Sequence, residues 1–109
     1  EGTDTTGETV PLAMALVCGG AYTEALGGSG DYWMYEFVVT ESVRGEGIGR
    51  ASAALVLDAH GGRWCLDVLP GNERAMGFWS AILHPHAPRT ALRTDEEGIE
   101  FVRFEFVTG

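Results

Sequence analysis

Hydrophobic residues fall into short blocks divided by glycine, proline and acidic residues, and the spacing within each block predicts an element. Residues 1–9 are glycine, threonine, one valine-free acidic stretch without periodicity, and read as a frayed terminus or the approach to a first strand. Residues 10–17 (VPLAMALV) suit a short buried strand, with Pro11 placing it at a strand start or sheet edge, although the Ala and Leu also suit a helix. Gly19-Gly20 ends that run, and Gly27-Gly28-Ser29-Gly30 is a turn by composition. Residues 32–40 (YWMYEFVVT) give the strongest strand signal. This block is apolar on both faces except at Glu36, as a central strand covered on both sides requires.

A glycine-punctuated loop follows, Arg44-Gly45-Glu46-Gly47-Ile48-Gly49, and then a helix to about Ala59 with Ile48, Ala51, Leu55 and Val56 near one face. Gly61-Gly62 stops it. Residues 63–69 (RWCLDVL) predict a second buried strand, Pro70-Gly71 a turn, and Asn72 the N-cap of a helix to about Leu83 that Pro85 and Pro88 end. Residues 90–94 and 99–107 read as a hairpin around Asp95-Glu96-Glu97-Gly98. The order is strand, strand, helix, strand, helix, strand, strand.

Composition narrows the function classes. A chain of 109 residues and 11.7 kDa fits one domain, and 45% apolar residues suffice for a core. No apolar run approaches the roughly 20 residues that a membrane-spanning helix needs. Seven arginines and no lysine stand against 16 acidic residues, a net charge of −9. No basic cluster suited to a nucleic-acid backbone is visible, and an acidic protein attracts cationic small molecules. Cys18 and Cys65 are expected as reduced, buried thiols, which suits a cytoplasmic protein. His60, His84 and His86 share no metal-ligand spacing with them, and no metal is expected. The chain opens on Glu1, which suits a trimmed chain, and no signal-peptide pattern is visible.

The glycine loop carries the chemistry. Clustered glycines between a strand and a helix permit positive φ angles or close approach of a ligand to the backbone. The helix that starts there offers unpaired N–H groups to an anion, and Arg44 and Arg50 add positive charge. A Walker loop would need a lysine, which the chain lacks. The dinucleotide fingerprint would need glycine where Arg50 stands, although Asp67 falls near the spacing of a ribose-binding carboxylate.

The pattern Arg44-x-x-Gly47-x-Gly49 resembles the pyrophosphate-binding motif of the GNAT superfamily of acyl-CoA-dependent acetyltransferases. Residues 36–39 (EFVV) look like that family's fourth strand, and Asn72-Glu73-Arg74-Ala75-Met76-Gly77-Phe78-Trp79 is similar to its N-x-x-A-x-x-F-Y signature. The resemblance spans about residues 10–107. It implies an α/β (α+β) fold with a mixed, largely antiparallel central sheet, a pyrophosphate-loop helix and a second helix. It also implies acetyl-CoA as cofactor, with the backbone of Arg44, Gly45, Glu46, Gly47, Ile48 and Gly49, together with Arg50, at the pyrophosphate. The main chain of Phe37, Val38 and Val39 would take the pantetheine, with Asn72 and Trp79 nearby.

Two departures accompany it. Too few residues precede Val10 for the family's first strand and two helices. A reduced version, a completing partner chain or a lost beginning would each account for that, and an exposed apolar wall favours a homodimer. Trp79 stands where many members have a proton-donating tyrosine, and an indole has no useful acidity. Glu36 is the candidate general base, with Asp67 second; Tyr22, Tyr32 and Tyr35 are alternative proton donors. The expected activity is acetyl transfer to a primary amine of a small cationic acceptor by direct attack in a ternary complex. The alternatives are a non-catalytic module of the same fold and a small nucleotide-binding protein.

Overall fold

The computed structural model of the chain describes residues 2–3, 9–10, 13–39 and 47–109. Two short strands, β1 (Gly2–Thr3) and β2 (Thr9–Val10), pair antiparallel as a separate ladder. The main sheet holds β3 (Ala13–Gly19), β4 (Tyr32–Val39), β5 (Gly62–Val68), β6 (Arg89–Thr94) and β7 (Glu100–Thr108), in the order β3-β4-β5-β7-β6. Neighbours run antiparallel except β4 and β5, which are parallel. A parallel pair needs a crossover, and the helix α2 (Ile48–Ala59) supplies it. A five-residue helix, α1 (Ala21–Ala25), lies between β3 and β4, and α3 (Glu73–Leu83) links β5 to β6. Among the described residues the fold is therefore α+β, an open and mostly antiparallel sheet with three α-helices, one more than the sequence order predicts. Among the described residues, no helix is long and apolar enough to cross a membrane.

The core lies on one face of the sheet. Met34, Trp64, Leu66, Val68, Phe104 and Phe106 pack there against Ala53 and Leu57 of α2 and Trp79 and Leu83 of α3. Trp64 and Phe104 are the largest of the fully buried side chains. On the opposite face, Arg103 is buried between Trp33 and Phe101, 5.8 and 5.3 Å from their ring centres. It donates to both oxygens of Asp67 at 2.8 and 3.0 Å and to the Gly27 carbonyl at 2.8 Å. That cluster pins the turn at residues 27–30 onto the sheet, helped by Ser29 Oγ donating to Glu105 at 2.7 Å.

One irregularity shapes the molecule. The β3–β4 register breaks between Leu16 and Val17, so Val17 faces Met34 while Leu16 faces Glu36. Tyr35 is the extra residue of a β-bulge. Strand residues alternate between faces, and the bulge shifts the alternation by one. Tyr32 and Met34 before it, and Phe37 after it, all reach the helix-covered face.

Several expectations need correction. Val10 belongs to β2, and the strand expected over residues 10–17 begins at Ala13 and runs to Gly19. The segment read as a frayed terminus or the approach to a first strand carries β1 and the first residue of β2. The helix α1 is absent from the sequence reading; it is tied to the turn that follows it by Thr23 Oγ1 donating to the Asp31 carbonyl and the Gly28 N–H donating to the Thr23 carbonyl. The buried stripe of α2 is Ala53 and Leu57 with Val56 beside them, and Leu55 and Ala51 face solvent. Positions 49, 53, 56 and 57 share one helical face, which the Leu55-centred stripe does not. The strand at residues 63–69, the helix capped by Asn72 and the closing hairpin stand within a residue of their expected places.

Candidate functional site

The β4–β5 ladder comprises Tyr32–Trp64, Trp33–Cys65 and Met34–Leu66, and there it ends. β4 continues to Val39 paired with β3. Where the two parallel strands part, a cleft of about 780 Å³ opens, within the usual range for small-molecule sites. Phe37, Val38 and Val39 of β4 form one wall, Gly47, Gly49 and Arg50 at the start of α2 another, and the first two turns of α3 the third.

The start of α2 borders the cleft. Gly47 is its N-cap, with φ 81°, and among the described residues no side chain caps it. Among the described residues, a Cβ at Gly47 would meet no atom within 4 Å, so its positive φ and not crowding is what favours glycine there. Gly49 has a different reason. Its Cβ would stand 3.2 Å from Phe78 Cε1 and 3.2 Å from Val39 Cγ2, so glycine lets α2 lie close against α3 and β4. Of the two glycines expected to serve one ligand, Gly49 is therefore also required by the packing of α2.

Charge is concentrated against the global trend. Arg50 and Arg74 both line the cleft, and among the described residues no carboxylate lines it and neither arginine has an ion-pair partner. In a chain of net charge −9, this is a local cationic site beside the positive end of a 12-residue helix dipole. Arg74 was missed as a site residue in the sequence; its position two residues beyond the Asn72 N-cap was the available signal.

Across the cleft, α3 presents an apolar wall. Asn72 accepts from the Ala75 N–H at 3.1 Å, so its side chain caps α3 while bordering the cleft. Phe37, Phe78 and Trp79 form a ring cluster, with Trp79 5.3 Å from Phe37 and 5.0 Å from Phe78, edge to face in both contacts. Trp79 is 7% exposed. Its indole N–H has no acceptor among the described residues, and none of their fully sealed side-chain polar atoms lacks a partner. Trp79 is one of the residues that line the cleft.

The remaining sequence candidates lie elsewhere. Glu36 sits on β4 next to Phe37, exposed and outside the cleft lining, in place of the buried setting expected for a tuned base. Strand alternation directs it to the sheet face opposite the helices. Asp67 is engaged by Arg103 on that face. Tyr22 and Tyr35 are exposed, and Tyr32 stacks on His60 at 5.0 Å at the other end of β4. None of the three tyrosines borders the cleft. Arg44, Gly45 and Glu46 fall outside the described residues. Cys18 and Cys65 are free thiols, and burial pushes the Cys65 thiol up from its ordinary value. The structure thus brings together Phe37, Val38, Val39, Gly47, Gly49, Arg50, Asn72 and Trp79 from three distant stretches of chain, with Ile48 in the same first turn of α2.

No model of a known protein family matches the chain, and no curated protein matches it.

Proposed function

We propose that this cleft binds acyl-coenzyme A and that the protein transfers the acyl group to a primary amine of a small cationic acceptor, in the manner of the GNAT superfamily. The observation that carries the reading is the coincidence of three features among the described residues: strands β4 and β5 parting at Met34–Leu66, a helix start at Gly47 that no side chain caps, and two arginines in the lining. A nucleotide diphosphate attached to a long, thin, neutral arm fits them. The N–H groups of Ile48, Gly49 and Arg50 face the diphosphate, with the Arg50 and Arg74 guanidinium groups beside them. Arg44, Gly45 and Glu46 complete that loop by the family resemblance. The main chain at Phe37 and Val38 holds the arm, Val39 continues the same wall, and Phe78 and Trp79 exclude water from it.

The thioester supplies an activated carbonyl. An amine nitrogen attacks its carbon, the carbon–sulfur bond breaks with the electron pair leaving on sulfur, and the ammonium product loses one proton. Holding both reactants in one geometry supplies much of the acceleration. Glu36, on the far face of β4, takes the proton through water, so the gap between β4 and β5 joins a cofactor side to an acceptor side. Met14, Leu16, Tyr35 and Val38 leave that acceptor face apolar and exposed, which supports a second copy of the chain as its wall. Sedimentation velocity that finds only monomer across the accessible concentration range removes this last element.

The test is thiol release from acetyl-CoA with a panel of polyamines and aminosugars, run on the intact chain and on Glu36→Gln. Turnover with an amine is expected, with kcat/KM about 10²–10⁴-fold lower in Glu36→Gln. Binding of acetyl-CoA without turnover would replace the enzyme by a binding module. Absence of binding would end the reading.

A further inference from the structure

We propose that the protein carries a second binding site, a furrow that takes a small zwitterion with one carboxylate and one ammonium group. The furrow has a volume of about 450 Å³, within the range of small-molecule sites. It shares no lining residue with the cleft. Arg63 at the start of β5 borders it, whereas the cleft opens beyond Leu66 toward the other end of that strand. The proposal therefore does not depend on the acyl-CoA reading.

The floor is the sheet face without the core. Trp64 and Leu66 reach the helix-covered side, so strand alternation puts Arg63 on the opposite face, and Phe104 and Phe106 place Glu105 there likewise. Arg89 of β6 is the register partner of Glu105 and shares its face. Glu24 of α1 and the turn at Ser29 border the furrow on the side of β4, and His86 does so just before β6. These borders are tied to the sheet. Ser29 Oγ donates to Glu105 at 2.7 Å, and the Asp31 N–H donates to the Arg63 carbonyl at 2.7 Å. The His86 Nδ1–H donates to the Val107 carbonyl at 3.2 Å.

The charges in the furrow are not matched to one another. Arg89 and Glu105 are opposite charges directly across a ladder, an arrangement that usually pairs. Here Glu105 accepts from Ser29, and among the described residues the Arg89 side chain has neither an ion pair nor a hydrogen bond. Arg63 differs, with Asp31 3.5 Å away. The Glu24 carboxylate is also without a partner among the described residues. One unpaired guanidinium and one unpaired carboxylate therefore border the same furrow, from β6 and from α1. A ligand with anionic groups alone would meet Glu24 and Glu105, and one with cationic groups alone would meet Arg63 and Arg89. A zwitterion suits both ends: its carboxylate takes the Arg89 fork, and its ammonium takes Glu24.

Amide spectra of the nitrogen-15-labelled chain, titrated with β-alanine, γ-aminobutyrate and ε-aminocaproate, test this. Butyrate and butylamine serve as the separate halves of the middle probe. At least one zwitterion should shift the Ser29, Gly30, Arg63 and Glu105 signals saturably and leave Gly47–Arg50 in place. Each half should bind about ten- to a hundredfold more weakly, which is what a hydrogen bond to a charged group contributes. Arg89→Gln and Glu24→Gln replace exposed side chains, so both variants should keep the folded spectrum. Arg89→Gln should weaken the zwitterion and butyrate but not butylamine, and Glu24→Gln should weaken the zwitterion and butylamine but not butyrate. Either half binding as tightly as the zwitterion would overturn the proposal, as would unchanged affinities in the two variants. No saturable shift from any of the three zwitterions at tens of millimolar would overturn it as well.

Discussion

Gly47 offers the sharpest separation of ligand binding from stability. Its φ of 81° is one that L side chains adopt at a cost of about 1–2 kcal/mol. Among the described residues, a Cβ there meets no neighbour within 4 Å, so steric exclusion by them adds nothing. Gly47→Ala, Gly47→Gln and Gly47→Glu should therefore lose similar stability, at about 4–8 °C of melting temperature per kcal/mol in a domain near this size. Binding should divide them. A carboxylate about 6 Å from a diphosphate with two charges costs about 1.4–2.8 kcal/mol at an effective dielectric of about 40–80, or about ten- to a hundredfold in Kd. Gln has the same length and no charge, so the Glu-to-Gln ratio isolates the electrostatic part. Calorimetric titration of acetyl-CoA into each variant gives the ratio, and thermal melts confirm equal folding. At about 1 M salt, where the Debye length is about 3 Å, the two variants should converge. Equal affinities of Glu and Gln variants at low salt would refute an anion at the start of α2.

Arg103→Met should destabilise by about 3–5 kcal/mol, because Asp67 loses its partner while remaining largely buried; adding Asp67→Leu should recover much of it in denaturant unfolding. Asn72→Ala removes the cap on the Ala75 N–H and should cost about 1 kcal/mol in the same assay. Burial raises the Cys65 thiol above its ordinary value near 9.0, so the unfolded chain ionises first as pH rises. Its contribution to stability is therefore complete below that pH and falls above it, and Cys65→Ala should flatten the alkaline slope of melting temperature against pH.

How much of this was legible follows from range. The strands at residues 32–40 and 63–69 and the Asn72 cap depend on local preference, and they stand nearly where the sequence puts them. The cleft residues Phe37, Gly47, Arg50, Asn72 and Trp79 were identifiable from strand–loop–helix order and the resemblance, and the fold does assemble them. Gly47 and Gly49 look equivalent in sequence, and only the 3.2 Å approach of Phe78 and Val39 shows that Gly49 serves packing. The same is true of the α2 face. Leu55 is as apolar as Leu57, and which one is buried depends on where α3 lies. Glu36 interrupts an apolar strand and so attracts a buried role, but it is exposed, on the sheet face opposite α2 and α3.

The bulge at Tyr35 has no local signature, yet it sets where the site is. The parallel ladder stops at the residue just before it, and the strand beyond diverges from β5. A bulge bends its strand and increases local twist, which accounts for the divergence. Deleting Tyr35 should therefore close the cleft without inverting the strand. With Met34 joined to Glu36, ordinary alternation still sends Phe37 to the helix side, so the core contacts of Met34 and Phe37 survive. The ladder can then extend, pairing Glu36 with Asp67 and Phe37 with Val68. Losses are the edge-to-face contact of Tyr35 with Trp33 at 5.0 Å, about 0.5–1.5 kcal/mol, and a like-charge pair between Glu36 and Asp67, about 0.2–1 kcal/mol. New backbone hydrogen bonds, at about 0.5–1.5 kcal/mol each, offset them. The deletion should melt within a few degrees of the intact chain and fail to bind acetyl-CoA, with hydrogen exchange slowed at Phe37 and Val38. A folded deletion variant that binds as well as the intact chain would show that the divergence of β4 and β5 does not come from the bulge.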